Sequence, residues 1–106
     1  MRPEPAATLV IGRFGRIEDV DEYACLLFGY SRPELLHLHG TDLILPEDRP
    51  RVAVSIDLMR EGTVTKRSGR VLRKDRVVVD VDVSAKRLRD SRLALIVRPL
   101  AAGEPR

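Results

Sequence analysis

The sequence is poor in cysteine and in aromatic residues: it has one cysteine, no tryptophan, two tyrosines and two phenylalanines among 106 residues. The single cysteine, Cys25, excludes an internal disulfide and leaves no pair for a zinc knuckle or a redox dithiol. Apolar runs fall far short of the ~20 residues that a membrane-spanning helix needs. Two prolines and a glutamate lie within the first seven residues, where a signal peptide would be apolar. We therefore expect a cytoplasmic location and no membrane partner.

The sequence also lacks the motifs that carry common catalytic chemistry. It has no nucleophile elbow, no phosphate-binding glycine loop and no zinc-binding helix motif. Its close carboxylates are explained in other ways: Glu47 and Asp48 by a helix start, and Asp80 and Asp82 by the solvent-facing side of a strand. We therefore expect a protein that is not an enzyme.

The positive charge comes almost entirely from arginine. The chain has 19 basic and 16 acidic residues, and only Lys66, Lys74 and Lys86 are lysines. An excess of arginine can indicate a nucleic-acid partner. Acidic residues are interleaved throughout, however, and the three C-terminal strands predicted below lack the aromatic residues on which RNA-binding sheets stack bases. A basic nucleic-acid-binding domain is therefore the least favoured class.

The first part of the chain predicts a hairpin followed by a helix. A β-branched run over 8–13 and a second short apolar run over 17–20 flank a turn. From Asp21 the apolar spacing becomes helical, and the aspartate is placed to cap that helix. Gly29 is placed to end it.

The next stretch predicts further helices, of which the last is the longest. Ser31 and Glu34 have the spacing of a capping box, so they predict a short helix. One more helical turn is expected over 43–45. Asp48 is then placed to cap a longer helix that ends at Gly62.

The C-terminal part predicts three antiparallel strands, over 63–74, 76–88 and 93–98. The middle one alternates most clearly, and one of its faces is apolar: Val77, Val79, Val81, Val83 and Ala85. The order of elements predicts an α+β fold. We expect a five-stranded antiparallel sheet with several short helices and one longer helix packed on one face.

Three stretches of the chain resemble the PAS domain, a small sensor and interaction module of bacterial signalling proteins. They read CLLFGYSRPELL over 25–36, LPEDR over 45–49 and VLRKD over 71–75. They follow one another at the family's spacing, on matching predicted elements, and the likeness covers about 8–98. The resemblance implies a single PAS-like domain over 8–99, with flexible tails over 1–7 and 100–106.

The chain departs from the family pattern at three positions, of which Asp21, where the family often has asparagine, can cap equally well. The family has glycine after the lysine–aspartate pair of the third stretch, where this chain has Arg76. A non-glycine residue at positive φ costs ~1–2 kcal/mol, so we expect a different turn or a shifted register there. Pro99 replaces an aspartate that helps to couple the last strand to an output helix in the family, which puts that coupling in doubt.

The resemblance implies a ligand pocket between the helices and the sheet, mostly apolar with few polar groups. Its expected lining is Leu27, Ile44, Ile56, Met59, Val79, Val81, Leu95 and Val97. The simpler alternative is that these side chains only fill the core, with no cofactor bound.

The resemblance also implies particular cofactor ligands in some members. Haem-binding members use an axial histidine, for which His37 and His39 are the only candidates, and with Asp42 they also form a candidate metal set. Photochemical members need a cysteine beside a flavin, but Cys25 lies on the first predicted helix and is better explained as a small buried thiol.

We therefore predict a non-enzymatic sensory or interaction module that forms a homodimer and can bind a small ligand. The solvent-facing side of the sheet and the N-terminal segment would supply the contact between copies. The output domain, a kinase, a cyclase or a transcription regulator, is expected in the parent protein or in another chain. The alternative is a dedicated receptor for a small metabolite or haem.

Overall fold

The structure is a computed structural model that describes residues 6–63 and 65–100. Within these residues, five strands form one antiparallel sheet: β1 (Ala7–Ile11), β2 (Ile17–Val20), β3 (Lys66–Leu72), β4 (Val78–Arg87) and β5 (Leu93–Pro99). The strand order is β2-β1-β5-β4-β3, so the N-terminal hairpin joins the C-terminal strands through β1 and β5. β2 and β3 are the two edges of the sheet.

The helices lie in sequence between β2 and β3. They are α1 (Glu22–Phe28), α2 (Arg32–Leu35) and α3 (Arg49–Glu61), with short 3₁₀ turns over Gly40–Leu43 and Pro46–Asp48. A further 3₁₀ turn, Arg89–Ser91, joins β4 to β5. This arrangement confirms the predicted α+β class and the predicted five-stranded antiparallel sheet.

The core lies between the helices and one face of the sheet. Alternate residues of β1 and β5 are buried there, and Leu9 pairs directly with Leu95. The helices contribute buried side chains to the same cluster, including Phe28 of α1, Leu35 of α2 and Met59 of α3. Burial of apolar surface on this one face therefore holds the helical layer against the sheet.

Four of the predicted helix boundaries are confirmed, including the end of α3 at Gly62, which has a φ of 81°. Asp21 Oδ1 accepts hydrogen bonds from the backbone N–H groups of Ala24, at 2.9 Å, and Thr8, at 3.1 Å, so it caps α1 and ties it to β1. Gly29 ends α1 with a φ of 77°. Ser31 and Glu34 form the reciprocal capping box at the start of α2.

Some boundaries differ from the prediction. β1 begins at Ala7, which is buried, one residue inside the predicted N-terminal tail. Val77 does not face the core with its neighbours in β4: it precedes that strand and is 52% exposed. The reason is that it belongs to the turn, where its N–H donates to Asp75 Oδ1 at 3.1 Å. In the predicted C-terminal tail, the N–H of Leu100 still donates to the carbonyl of Asp80. The rest of both tails, over 1–5 and 101–106, lies outside the described residues.

The β3–β4 turn holds the ends of α1 and α2. Arg73 donates from Nη1 to the carbonyl of Leu26 at 3.0 Å and also to that of Leu27, two of the carbonyls that a helix end leaves without a partner. Lys74 donates from Nζ to Glu34 Oε2 at 2.6 Å. Two of the stretches that resemble the family therefore meet in space.

The ion pair at Glu34 changes its titration. The hydrogen bond from Lys74, followed by the backbone N–H of Ser31, lowers the pKa of Glu34 from 4.5 to about 2. Glu34 is therefore charged at neutral pH. Because the folded-state pKa is lowered, the stabilising effect of these contacts is complete above pH 4.5 and is lost as the pH falls towards about 2.

The turn keeps positive φ at Arg76, contrary to the expectation of a different turn. Arg76 has a φ of 72°, and its N–H donates to the carbonyl of Arg73 at 3.0 Å. Arg76 therefore adopts the strained left-handed conformation, and the turn is not replaced by another type.

Replacing Arg76 with glycine is expected to raise the free energy of unfolding by ~0.5–1 kcal/mol. Relief of the left-handed strain outweighs the extra chain entropy of glycine. The measurement is urea unfolding, with Arg76→Ala as the control that removes the side chain but keeps the strain. Equal gains in both variants would show that the side chain, and not φ, limits stability.

Candidate ligand-binding cavity

A cavity of about 360 Å³ lies between α3 and the inner face of the sheet. This volume is within the range of small-molecule sites in proteins. Its apolar wall comes from the sheet, from the end of α1, from α3 and from the segment before α3: Leu9, Ile11, Phe28, Leu43, Ile44, Val52, Ile56, Met59, Val71, Val81, Val83, Leu95 and Val97. Phe14, in the β1–β2 turn, also lines it.

The structure brings six of the eight expected pocket residues to this cavity: Ile44, Ile56, Met59, Val81, Leu95 and Val97. The other two, Leu27 and Val79, are not among its lining residues and pack as partly buried side chains against the core. In α1 it is Phe28, the next residue, that reaches the cavity. Leu9 lines the cavity but is not among the pocket residues expected from the sequence, although β1 has the same alternating pattern. Its pairing with Leu95 becomes visible only when the fold places β1 beside β5.

Gly69 leaves part of the cavity open. It lies within β3 opposite Val81, a buried residue of the inner face. A Cβ atom placed on Gly69 would have no atom within 4 Å, and the backbone there is not in the left-handed region. The absence of a side chain at this position therefore contributes open space to the cavity.

Asp48 does not cap α3, contrary to the prediction. The preceding 3₁₀ turn runs directly into the helix, so Asp48 already has helical dihedral angles and its side chain makes no cap hydrogen bond. Its buried carboxylate instead accepts hydrogen bonds from Arg70, from Nε at 3.1 Å and from Nη2 at 3.0 Å. Arg51 donates to the same carboxylate at 3.0 Å. Asp48 therefore links α3 to the edge strand β3 beside the cavity.

The charged residues that line the cavity are mostly basic: Arg13, Arg51, Arg60, Arg67 and Arg70, against Asp48 and Asp57. Arg60 of α3 donates from Nη2 to the carbonyl of Gly12, which ties the helix to the β1–β2 turn. Its Nε–H is buried and has no acceptor among the described residues.

The two histidines are exposed, and neither is among the residues that line the cavity. His37 Nδ1 lies 2.7 Å from the carbonyl of Pro33, and Asp42 accepts a hydrogen bond from the backbone of His39. No group of three His, Cys, Asp or Glu side chains placed to hold a metal occurs in residues 6–63 and 65–100. The described cavity wall contains no histidine, cysteine or tyrosine, so it does not fit haem held by one of these axial ligands.

Cys25 is partly buried on α1, packs against the core and is not among the residues that line the cavity. The expected buried thiol is therefore only partly buried, and it does not face the space in which a flavin would lie.

In the described part of the chain, no helix has the length and apolarity required to cross a membrane.

A family model described as PAS fold matches residues 17–95 of the chain. No curated protein matches the sequence. The matched range begins at β2 and ends in β5, so it contains α3 and most of the cavity wall.

Solved structures similar to this one include three PAS or sensory domains. A domain of a sensory box sensor histidine kinase/response regulator from Geobacter sulfurreducens has a TM-score of 0.79 and 25% identity, over 88% of this chain and 82% of that chain. A PAS domain from a two-component sensor histidine kinase has a TM-score of 0.76 and 19% identity, over 90% and 85%. The PAS domain of a LuxR-family transcriptional regulator from Burkholderia thailandensis, in complex with ethanol, has a TM-score of 0.78 and 16% identity, over 92% and 91%.

Proposed function

Because the chain belongs to the PAS family, we propose that it is a non-enzymatic sensory module that binds a small molecule in the cavity between α3 and the sheet. The single observation that carries this proposal is the open, mostly apolar space of about 360 Å³ at that place. A methyl group added at Gly69 would have no atom within 4 Å. An ordinary close-packed core leaves few voids larger than a water molecule.

The similar structures support a role in signalling. The domain from Geobacter sulfurreducens belongs to a sensor histidine kinase/response regulator, and the one from Burkholderia thailandensis belongs to a transcriptional regulator. The latter was solved with ethanol, a small molecule with both an apolar and a polar part. We propose that this chain likewise controls an output domain, a kinase, a cyclase or a transcription regulator, located in the parent protein or in another chain, and that it acts in the cytoplasm.

We also propose that the module is a homodimer through the outward face of its sheet. Thr8 pairs with Ile96 on this face, beside Ser84 of β4, and Ile96 is 42% exposed. The neighbouring strands carry a polar cluster on the same face, in which Ser68 and Arg98 donate to Asp82. A ligand that binds the two arrangements of such a dimer with different affinities would shift the equilibrium between them.

Native mass spectrometry of the purified protein, with an absorption spectrum, tests the proposal. We expect a bound mass on each copy or, for empty protein, saturable 1:1 binding of small apolar molecules. A protein that takes up no such molecule would contradict the proposed sensing function. Light scattering over a range of concentrations tests the second part, and a monomer at the highest concentration would contradict the dimer.

A further inference from the structure

On the premise of the proposed ligand binding, we infer that the cavity selects a monocarboxylate with an apolar body, and that Arg67 binds its carboxylate. Arg67 is partly buried and is one of the residues that line the cavity. It lies in β3, two residues before Gly69, so both residues are on the same face of that strand.

The position of Arg67 is unusual for an arginine because its neighbours on the inner face are apolar. It is paired with Val83 of β4, which is paired with Val97 of β5, which is paired in turn with Ala7 of β1. Directly opposed residues of antiparallel strands point to the same face. The guanidinium is therefore attached at a position where the other strands place core side chains.

Arg67 has weak partners in the described structure. Its Nε donates to the carbonyl of Ser68 at 3.3 Å, and its Nη1 donates to that of Arg51 at 3.5 Å, the long limit for such a bond. No described carboxylate forms an ion pair with it. A guanidinium has five N–H donors and binds a carboxylate through two of them in parallel. A carboxylate ligand would therefore accept hydrogen bonds from Arg67 N–H groups that have only long, weak hydrogen bonds within the protein.

The charge around the cavity favours an anion. Of the two aspartates that line it, Asp48 already accepts hydrogen bonds from Arg51 and Arg70. Asp57 is exposed on α3. Cavity arginines therefore outnumber the carboxylates available to them, and a cationic ligand would find no unpaired buried carboxylate.

The rest of the wall requires an apolar body. Apart from Arg67, the inner face opposite α3 carries apolar side chains such as Val81, Leu95 and Val97. A second charged group placed against these apolar side chains would be buried without a partner, which is strongly unfavourable. One carboxylate on a hydrocarbon body matches both parts of the cavity.

Calorimetric titration with decanoate, below its micellar concentration, and with decanol, below its solubility limit, tests this inference. The two probes share a ten-carbon body and differ in the head group. We expect decanoate to bind ~10-fold or more tightly than decanol, because hydrogen bonds to charged groups contribute more than neutral ones. Arg67→Gln should remove that preference and leave the affinity for decanol unchanged.

Lys66→Gln is the matched control. Lys66 is the neighbouring residue of the same strand, exposed and on the opposite face, and its replacement removes the same charge. We expect it to leave the preference for decanoate intact. The inference would be wrong if the natural protein bound decanoate and decanol equally, or if both substitutions had equal effects. Either result would still be compatible with an apolar ligand pocket. Absence of binding for both probes would contradict the inference and the proposed function together.

Discussion

Gly69→Leu is expected to lower the affinity of the cavity for decanoate at least ~10-fold while the protein stays as stable as before or becomes more stable. The leucine side chain would enter the space beside Val81, where a Cβ contacts nothing within 4 Å. A glycine inside a strand weakens it by ~0.5–1 kcal/mol, so its replacement removes that cost. Filling open space also avoids the strain that comes from overpacking a tight core.

The measurements are calorimetric titration for binding and urea unfolding for stability. Gly69→Ala is the matched control, because it removes the backbone freedom of glycine and adds only one methyl group. We expect it to share the gain in stability and to keep most of the binding. Decanoate affinity that survives Gly69→Leu would place the ligand outside this cavity and contradict both the proposed site and the role of Arg67.

Arg70→Met is expected to lower the free energy of unfolding by ~2–3 kcal/mol. The Asp48 side chain is 8% exposed and receives two donors from Arg70. Breaking a buried ion pair by removing one partner costs ~3–5 kcal/mol. We expect a smaller loss here because Arg51 remains as a partner and the Arg70 side chain is itself 34% exposed.

Two further variants test the cause of that loss. Arg51→Met removes the other partner of Asp48, but the Arg51 side chain is 63% exposed, so we expect a loss of ~1 kcal/mol or less. The double variant Asp48→Leu/Arg70→Met leaves no unpaired buried charge, and it should be more stable than Arg70→Met alone. If the double variant is no more stable than Arg70→Met, burial of an unpaired carboxylate is not the cause.

Local features of the fold could be predicted from the sequence because their physical cause is local. Asp21, Ser31 and Glu34 act as caps through contacts within four residues, and the spacing of the sequence contains that information. The strong alternation in β4 predicts its inner face, where Val81 is fully buried. The resemblance to the family covered the same elements, and the match over residues 17–95 confirms it.

Features that depend on distant contacts could not be predicted. Asp48 has the sequence context of a helix cap, and only its approach to Arg70, 22 positions away, gives its carboxylate another role. Arg67 belongs to a strand with many basic residues, and only the register of β3 against β4 places it opposite Val83 on the inner face. Val77 continues the alternation of β4 in the sequence, but the turn that Arg76 permits excludes it from the strand.

Chemical-shift mapping by NMR during titration with decanoate tests most directly whether this cavity is where the protein receives its signal. We expect saturable perturbations to be largest at the methyl groups of Ile56, Met59 and Val97, which line the cavity from α3 and from the sheet. Perturbations confined to the outward face, at Ile96 and its neighbours, or shifts that never saturate, would contradict a ligand site between α3 and the sheet.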